Sequence, residues 1–260
     1  MPIVTVLEKL YGSGSPATFE RLCNSLISGL KVRLRFAGTS DSRWIQLDVS
    51  GEDETAALSF LEKEVGLVPA SCDALKKFSV LQGKVIFSSK TEDELIVDFG
   101  FSKTCDAVVT EKQLCAQLAD GKELSLRNLV ELFGIYANLP IAVKIARDTT
   151  EEGRTVEAFL CEQQLRLFHK WVNFRFDRLI ILGAFSSEVE YAVKASRHSR
   201  DIIKIESLGL LEQVVLCKLG TNAVGLIPTL GRYLKSAVLV PFSPKKILKT
   251  IGSQAFDLQS

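Results

Sequence analysis

The 260-residue sequence predicts an α+β protein in three parts, with a mixed helix and strand layer at each end and a small five-stranded barrel between them. Three observations lead there. Residues 1–73 read as strand, helix, strand, strand, helix. Residues 78–160 hold short β-branched runs broken by turns and interrupted by one helical insert. Residues 177–242 repeat the first pattern and add a closing strand. Grouped strands with a few helices, without steady β-α alternation, point to α+β.

Residues 3–10 alternate Val and Thr and read as a strand. The loop Gly12-Ser13-Gly14-Ser15-Pro16 follows. Ser15 can accept a hydrogen bond from a free amide of the next helix, and Pro16 suits its first turn. Phe19, Leu22, Cys23, Leu26, Ile27 and Leu30 then recur at three- and four-residue spacing, one apolar helix face. Residues 31–36 and 44–49 alternate around a polar turn at 38–42 and read as a hairpin. A second helix is expected over 53–65, with Leu58, Leu61 and Val65 apolar. The order βαββα is that of a ferredoxin-like domain, placed at residues 1–73. Residues 67–77, with Pro69 and Ser71, read as a linker.

Residues 78–87, 94–100, 106–114 and 140–147 read as strands, and 156–160 as the closing one. The insert 125–133 is helical and ends at Gly134. Residues 148–153 are a hairpin turn. Five strands with a helix before the fourth fit a barrel of the oligonucleotide-binding (OB) type, and such barrels often hold single-stranded nucleic acid. This domain is placed at residues 74–169, and residues 163–171 read as a helix at its boundary.

Residues 177–182 are an isoleucine-rich strand. Ser186 or Ser187 can cap a helix through Ala195, with a Glu near its positive end. Residues 202–206 and 214–219 are strands, 226–234 a short helix containing Pro228, and 238–242 a last strand closed by Pro241 and Pro244. The order βαββαβ predicts a second ferredoxin-like domain, residues 170–260. Trp171, Phe174 and Phe176 are candidates to join it to the barrel.

Hydrophobic residues make up 47% and charged residues 24%, an ordinary globular composition. No apolar run reaches the length of a bilayer span, and the N-terminus lacks the basic region and cleavage site of a signal peptide. The expectation is a cytoplasmic protein without membrane contact. The six cysteines include no CxxC pair and read as free, mostly buried thiols. The net charge of +1 hides an uneven spread, −3 over residues 1–73, −2 over 74–169 and +6 over 170–260. A basic final third attracts phosphates, or is a solvated lysine-rich face.

Neither His169 nor His198 has metal-ligand spacing, there is no Gly-x-Ser-x-Gly elbow, and no carboxylate pair reads as acid and base. The sequence therefore supports no catalytic residue, metal or cofactor. Residues 220–225, glycine at each end, precede a helix but lack the Lys-Ser/Thr ending of a nucleotide loop, and read as a turn. Arg197-His198-Ser199-Arg200, with Lys194 and Lys204, is the densest basic patch. It complements a helix C-terminus or meets phosphates.

Gly83-Lys84-Val85 followed by Val97-Asp98-Phe99-Gly100 resembles the opening of an S1-type RNA-binding barrel. The resemblance implies base stacking by aromatics. Phe87, Phe99 and Phe101 are available for that, or belong to the core. The final two-thirds resembles the archaeal family named domain of unknown function 2110. Leu132-Phe-Gly-Ile-Tyr-Ala-Asn-Leu-Pro140, Asp177-Arg-Leu-Ile-Ile-Leu-Gly183, Glu206-Ser-Leu-Gly-Leu-Leu-Glu212 and the run from Cys217 to Pro228 carry the likeness. It implies an archaeal cytoplasmic protein and supplies no catalytic residue.

The expected function is non-enzymatic RNA binding in the translation or transcription machinery, with RNA, a ribonucleoprotein or a transcription complex as partner. Lys194, Arg197, Arg200 and Lys204 are the expected phosphate contacts, with Lys218 and Arg232 flanking them. Lys84 beside Phe87 is the second candidate, where a ring stacks on a base. The alternative is a protein-interaction adaptor that pairs through sheet edges.

Overall fold

Ser15 caps the first helix, its hydroxyl accepting from the Thr18 amide, and Pro16 fills the first turn. The computed structural model describes residues 3–69, 76–87, 93–101, 105–147 and 155–256. Its chain begins β1 (Ile3–Lys9), α1 (Pro16–Leu26), β2 (Val32–Thr39), β3 (Trp44–Gly51) and α2 (Glu54–Glu64). The strands form an antiparallel three-stranded sheet in the order β1-β3-β2. The expected linker does not begin at residue 67, because residues 66–68 lie beside β1. The Leu7 amide donates to Gly66 O at 3.0 Å and the Val68 amide to Thr5 O at 2.8 Å, so this stretch satisfies the outer edge of β1. Ser71 and Cys72, in the rest of the expected linker, lie outside the described residues.

The middle of the chain closes into a barrel. Its strands are β4 (Val80–Ile86), β5 (Glu94–Asp98), β6 (Ala107–Thr110), β7 (Pro140–Ile145) and β8 (Val156–Leu160), in the order β4-β5-β6-β8-β7. Only the β6–β8 pair among these is parallel. The strand expected over 106–114 stops at Thr110. Thr110 Oγ1 accepts from the Gln113 amide, and the Gln113 side chain accepts from the Thr110 amide at 2.9 Å. This capping box starts α3 (Glu111–Leu118), which the β-branched run conceals. α4 (Leu126–Phe133) runs from its Ser125 cap to Gly134, whose φ of +63° ends it. The turn expected at 148–153 lies outside the described residues.

The last part holds α5 (Glu162–Asn173), β9 (Arg178–Leu182), α6 (Ser186–Ala195), β10 (Ile202–Ser207), β11 (Glu212–Cys217), α7 (Ala223–Leu230), β12 (Val238–Phe242) and α8 (Pro244–Ile251). Its four-stranded antiparallel sheet has the order β10-β11-β9-β12. Three local expectations change. Ser186 and Ser187 lie inside α6, and Glu188 instead takes the Phe185 amide at 2.8 Å. Asn222 caps α7 by accepting from the Val224 amide, so the helix begins earlier than residue 226. Pro244 starts α8 instead of stopping the chain, since a first-turn proline lacks only an amide that has no helical partner.

One apolar core runs from the barrel, through Val97 and Val143, to Trp171, Ile180 and Phe242 of the C-terminal part. Trp171 meets Phe242 edge-on at 5.2 Å within the C-terminal part and shares the core that reaches the barrel, whereas Phe174 is exposed. Two smaller cores lie under α6 and α7 and under α1 and α2. Cys23, Cys115, Cys161 and Cys217 are free thiols and buried, and Cys105 is buried too. Among the described residues no helix is long and apolar enough to cross a membrane.

Candidate functional site

A cleft of about 970 Å³ opens where the three sheets meet, with Arg21, Lys63, Gln82, Ser187 and Gly209 among its walls. Its floor is a buried ion cluster. Lys84 Nζ lies 2.5 Å from Glu8 Oε2 and 2.6 Å from Glu212 Oε1. Glu8 comes from β1, Lys84 from β4 and Glu212 from β11, so each sheet supplies one charge. Glu8 also accepts from the Leu210 amide at 2.7 Å, and the Tyr11 hydroxyl donates to Glu212. Alongside, Lys9 Nζ sits 2.6 Å from Asp98 Oδ2, and Trp44 Nε1 donates to the same oxygen at 2.9 Å.

Burial pulls the Lys84 pKa down, but Glu212 and Glu8 outweigh it and hold the group above its ordinary value. Burial raises the Glu212 carboxyl; Lys84 opposes this and Glu8 adds to it. The Tyr11 phenol is raised by burial and then by Glu212, so it stays a proton donor. An ammonium pinned between two carboxylates is neither nucleophile nor base. The cluster fastens three sheets together. Gly209 crosses it closely, since a Cβ there would sit 2.1 Å from Glu212 Oε2.

Lys84 is therefore not a phosphate contact. Its side chain is 2% exposed and its charge is already shared by two carboxylates. The alternation of β4 fails at Gly83-Lys84-Val85, all buried, because the strand is covered on both faces where the sheets meet. Its expected neighbour Phe87 is half exposed and meets Tyr136 edge-on at 6.4 Å. Phe99 is a core ring.

The basic candidates gather at one end of the four-stranded sheet. Lys194 lies in the last turn of α6, Arg197 follows the helix with φ +62°, and the Lys218 amide donates to Asp201 O at 2.8 Å, next to Arg200. Lys194, Arg197, Arg200 and Lys218 are exposed and pair with no carboxylate among the described residues. Lys204 differs, with Nζ 2.5 Å from Glu206 Oε1. Arg232 is exposed beside Tyr233, whose hydroxyl donates to Ala195 O at 3.3 Å near the end of α6. His198 Nδ1 lies 2.8 Å from Asp201 Oδ2 and pins the connecting loop. Among the described residues no group of three His, Cys, Asp or Glu side chains is placed to hold a metal ion.

Two family matches bear on the chain. The DUF2110 N-terminal domain matches residues 3–71 and the DUF2110 C-terminal domain matches residues 176–241. The chain belongs to the DUF2110 family. The two DUF2110 domains supply Glu8 and Glu212, while Lys84 comes from the barrel that neither match covers. The basic end lies within the C-terminal DUF2110 domain. No curated protein matches the chain.

Proposed function

We propose that this protein binds RNA without chemically altering it, through the basic end of its C-terminal sheet. The observation that carries this reading is the set of exposed cations Lys194, Arg197, Arg200 and Lys218, unpaired among the described residues, with Arg232 close to the end of α6. Unpaired cations release their counterions when a phosphate binds and need give up no internal partner. Arg197 and Arg200 add forked donors that match phosphate oxygens. Lys204 is a weaker contact, because Glu206 already holds it.

The sheet orders support the finer fold reading. A barrel in the order β4-β5-β6-β8-β7, with its third and fifth strands parallel and helices before the fourth, agrees with an OB/S1-like barrel. The order β10-β11-β9-β12, and β1-β3-β2 with residues 66–68 beside β1, agree with ferredoxin-like domains. Buried free thiols agree with a cytoplasmic location. On this reading the protein serves the translation or transcription machinery of an archaeal cell.

A second reading, a protein-interaction adaptor, has its own observation. Leu219, next to Lys218, is 85% exposed, and Tyr191 and Val224 are exposed as well. Purification from the native cells, with and without ribonuclease, separates the two. RNA that co-purifies and is lost with ribonuclease is expected. A protein partner retained after ribonuclease, with no RNA bound, would establish the adaptor instead.

A further inference from the structure

We propose a second nucleic-acid contact on the outer wall of the barrel, where bases of a single strand stack on Phe78 and Phe159 and lysines hold its phosphates. The strand register builds the platform. Val80 of β4 lies opposite Lys144 of β7, and Lys144 lies opposite Phe159 of β8. Paired residues share a sheet face, with Cβ atoms about 5 Å apart, so the three form one row. Phe78 stands beside that row. Its amide donates to Ile145 O at 2.9 Å, and its ring centre lies 5.2 Å from Lys144 Nζ and 4.9 Å from Lys77 Nζ.

Core filling does not account for these side chains. Phe78 is 63% exposed, Val80 52% and Phe159 38%. Phe78 also has φ +69°, a left-handed conformation that a bulky side chain adopts only at a cost. The residue thus accepts backbone strain and gains no burial. Lys76 and Arg147 are also exposed beside the same strands. The nearby carboxylate Glu157 accepts from Gln113 at 2.6 Å and faces Arg147 at 3.7 Å. Rings set among cations suit a single strand, because every base offers a π face and every linkage a phosphate. Stacking alone does not separate RNA from DNA. The choice of RNA rests on the function proposed above, while the contact itself uses different residues.

The test measures fluorescence anisotropy with two labelled probes, an oligouridylate and an oligothymidylate of about 12 nucleotides. Phe78→Ala with Phe159→Ala should weaken binding of both by about tenfold or more, while Phe78→Tyr with Phe159→Tyr stays near wild type. Thermal melts check folding. Should the alanine pair fail to fold, Lys144→Glu supplies the reading and should weaken binding by about fivefold. Alanine variants that fold and bind like wild type would overturn the barrel contact while leaving the basic end intact. Loss of binding in Arg197→Glu/Arg200→Glu alone has the same meaning. Failure of the wild type to bind either probe would overturn both proposals.

Discussion

Lys84 of the barrel reaches Glu212 of the C-terminal sheet across 128 positions of sequence, Nζ 2.6 Å from Oε1, with both side chains closed to solvent. Glu8 completes the contact from the N-terminal sheet. Removing the ammonium leaves two buried carboxylates facing each other. Lys84→Met should destabilise the fold by about 3–5 kcal/mol, the usual effect of breaking a buried pair from one side. Urea unfolding measures this. A loss below about 1 kcal/mol would mean that the carboxylates find other partners.

Asp106 gives the fold a pH dependence of known sign. Burial raises its carboxyl to about 6, with the Asp98 charge adding and Lys9 opposing. The folded state therefore binds this proton more tightly than the unfolded chain, whose aspartates titrate near about 3.9. The associated stability is complete below pH about 4 and is lost as pH rises through about 6. Asp106→Asn removes the titration. The stability difference between wild type and variant should drift across that window and be flat above pH about 7. A constant difference from acid to neutral pH would contradict the assignment.

Gly12 and Gly183 touch through their backbones. A Cβ on Gly12, at φ +63°, would lie 2.2 Å from Gly183 O, and the Ser13 amide donates to that same oxygen at 2.8 Å. Gly12→Ala must separate the two segments and should cost about 2 kcal/mol or more. Gly29, at φ +99° with no neighbouring atom within 4 Å, is the control. Gly29→Ala carries only the backbone term, about 1 kcal/mol. Equal melting temperatures for the two variants would show that the Gly12–Gly183 approach is not tight.

The sequence made some of this legible and concealed the rest for physical reasons. α1 and α4 are readable because their apolar faces and their caps, Ser15 and Ser125, act within one turn. α3 is concealed because Val108–Thr110 is β-branched and the signal that ends it is the side chain of Gln113. α8 is concealed because a proline after a strand marks a stop as readily as a first helical turn. Lys194, Arg197 and Arg200 are legible as a patch because they are close in sequence. The Glu8–Lys84–Glu212 cluster is not, since its members are far apart and each alone reads as a surface charge. The row Val80–Lys144–Phe159 depends on the register of three strands, which no single stretch of sequence contains.

The central claim is that the exposed cations at the end of the C-terminal sheet hold RNA. A labelled single-stranded RNA of about 12 nucleotides, titrated by anisotropy at several salt concentrations, tests it most directly. The wild type should lose affinity steeply as salt rises. Arg197→Glu/Arg200→Glu should bind about tenfold more weakly at low salt, with a logarithmic salt slope shallower by about 1.4, two phosphate contacts at about 0.7 each. A folded double variant with the affinity and salt slope of the wild type would contradict the claim.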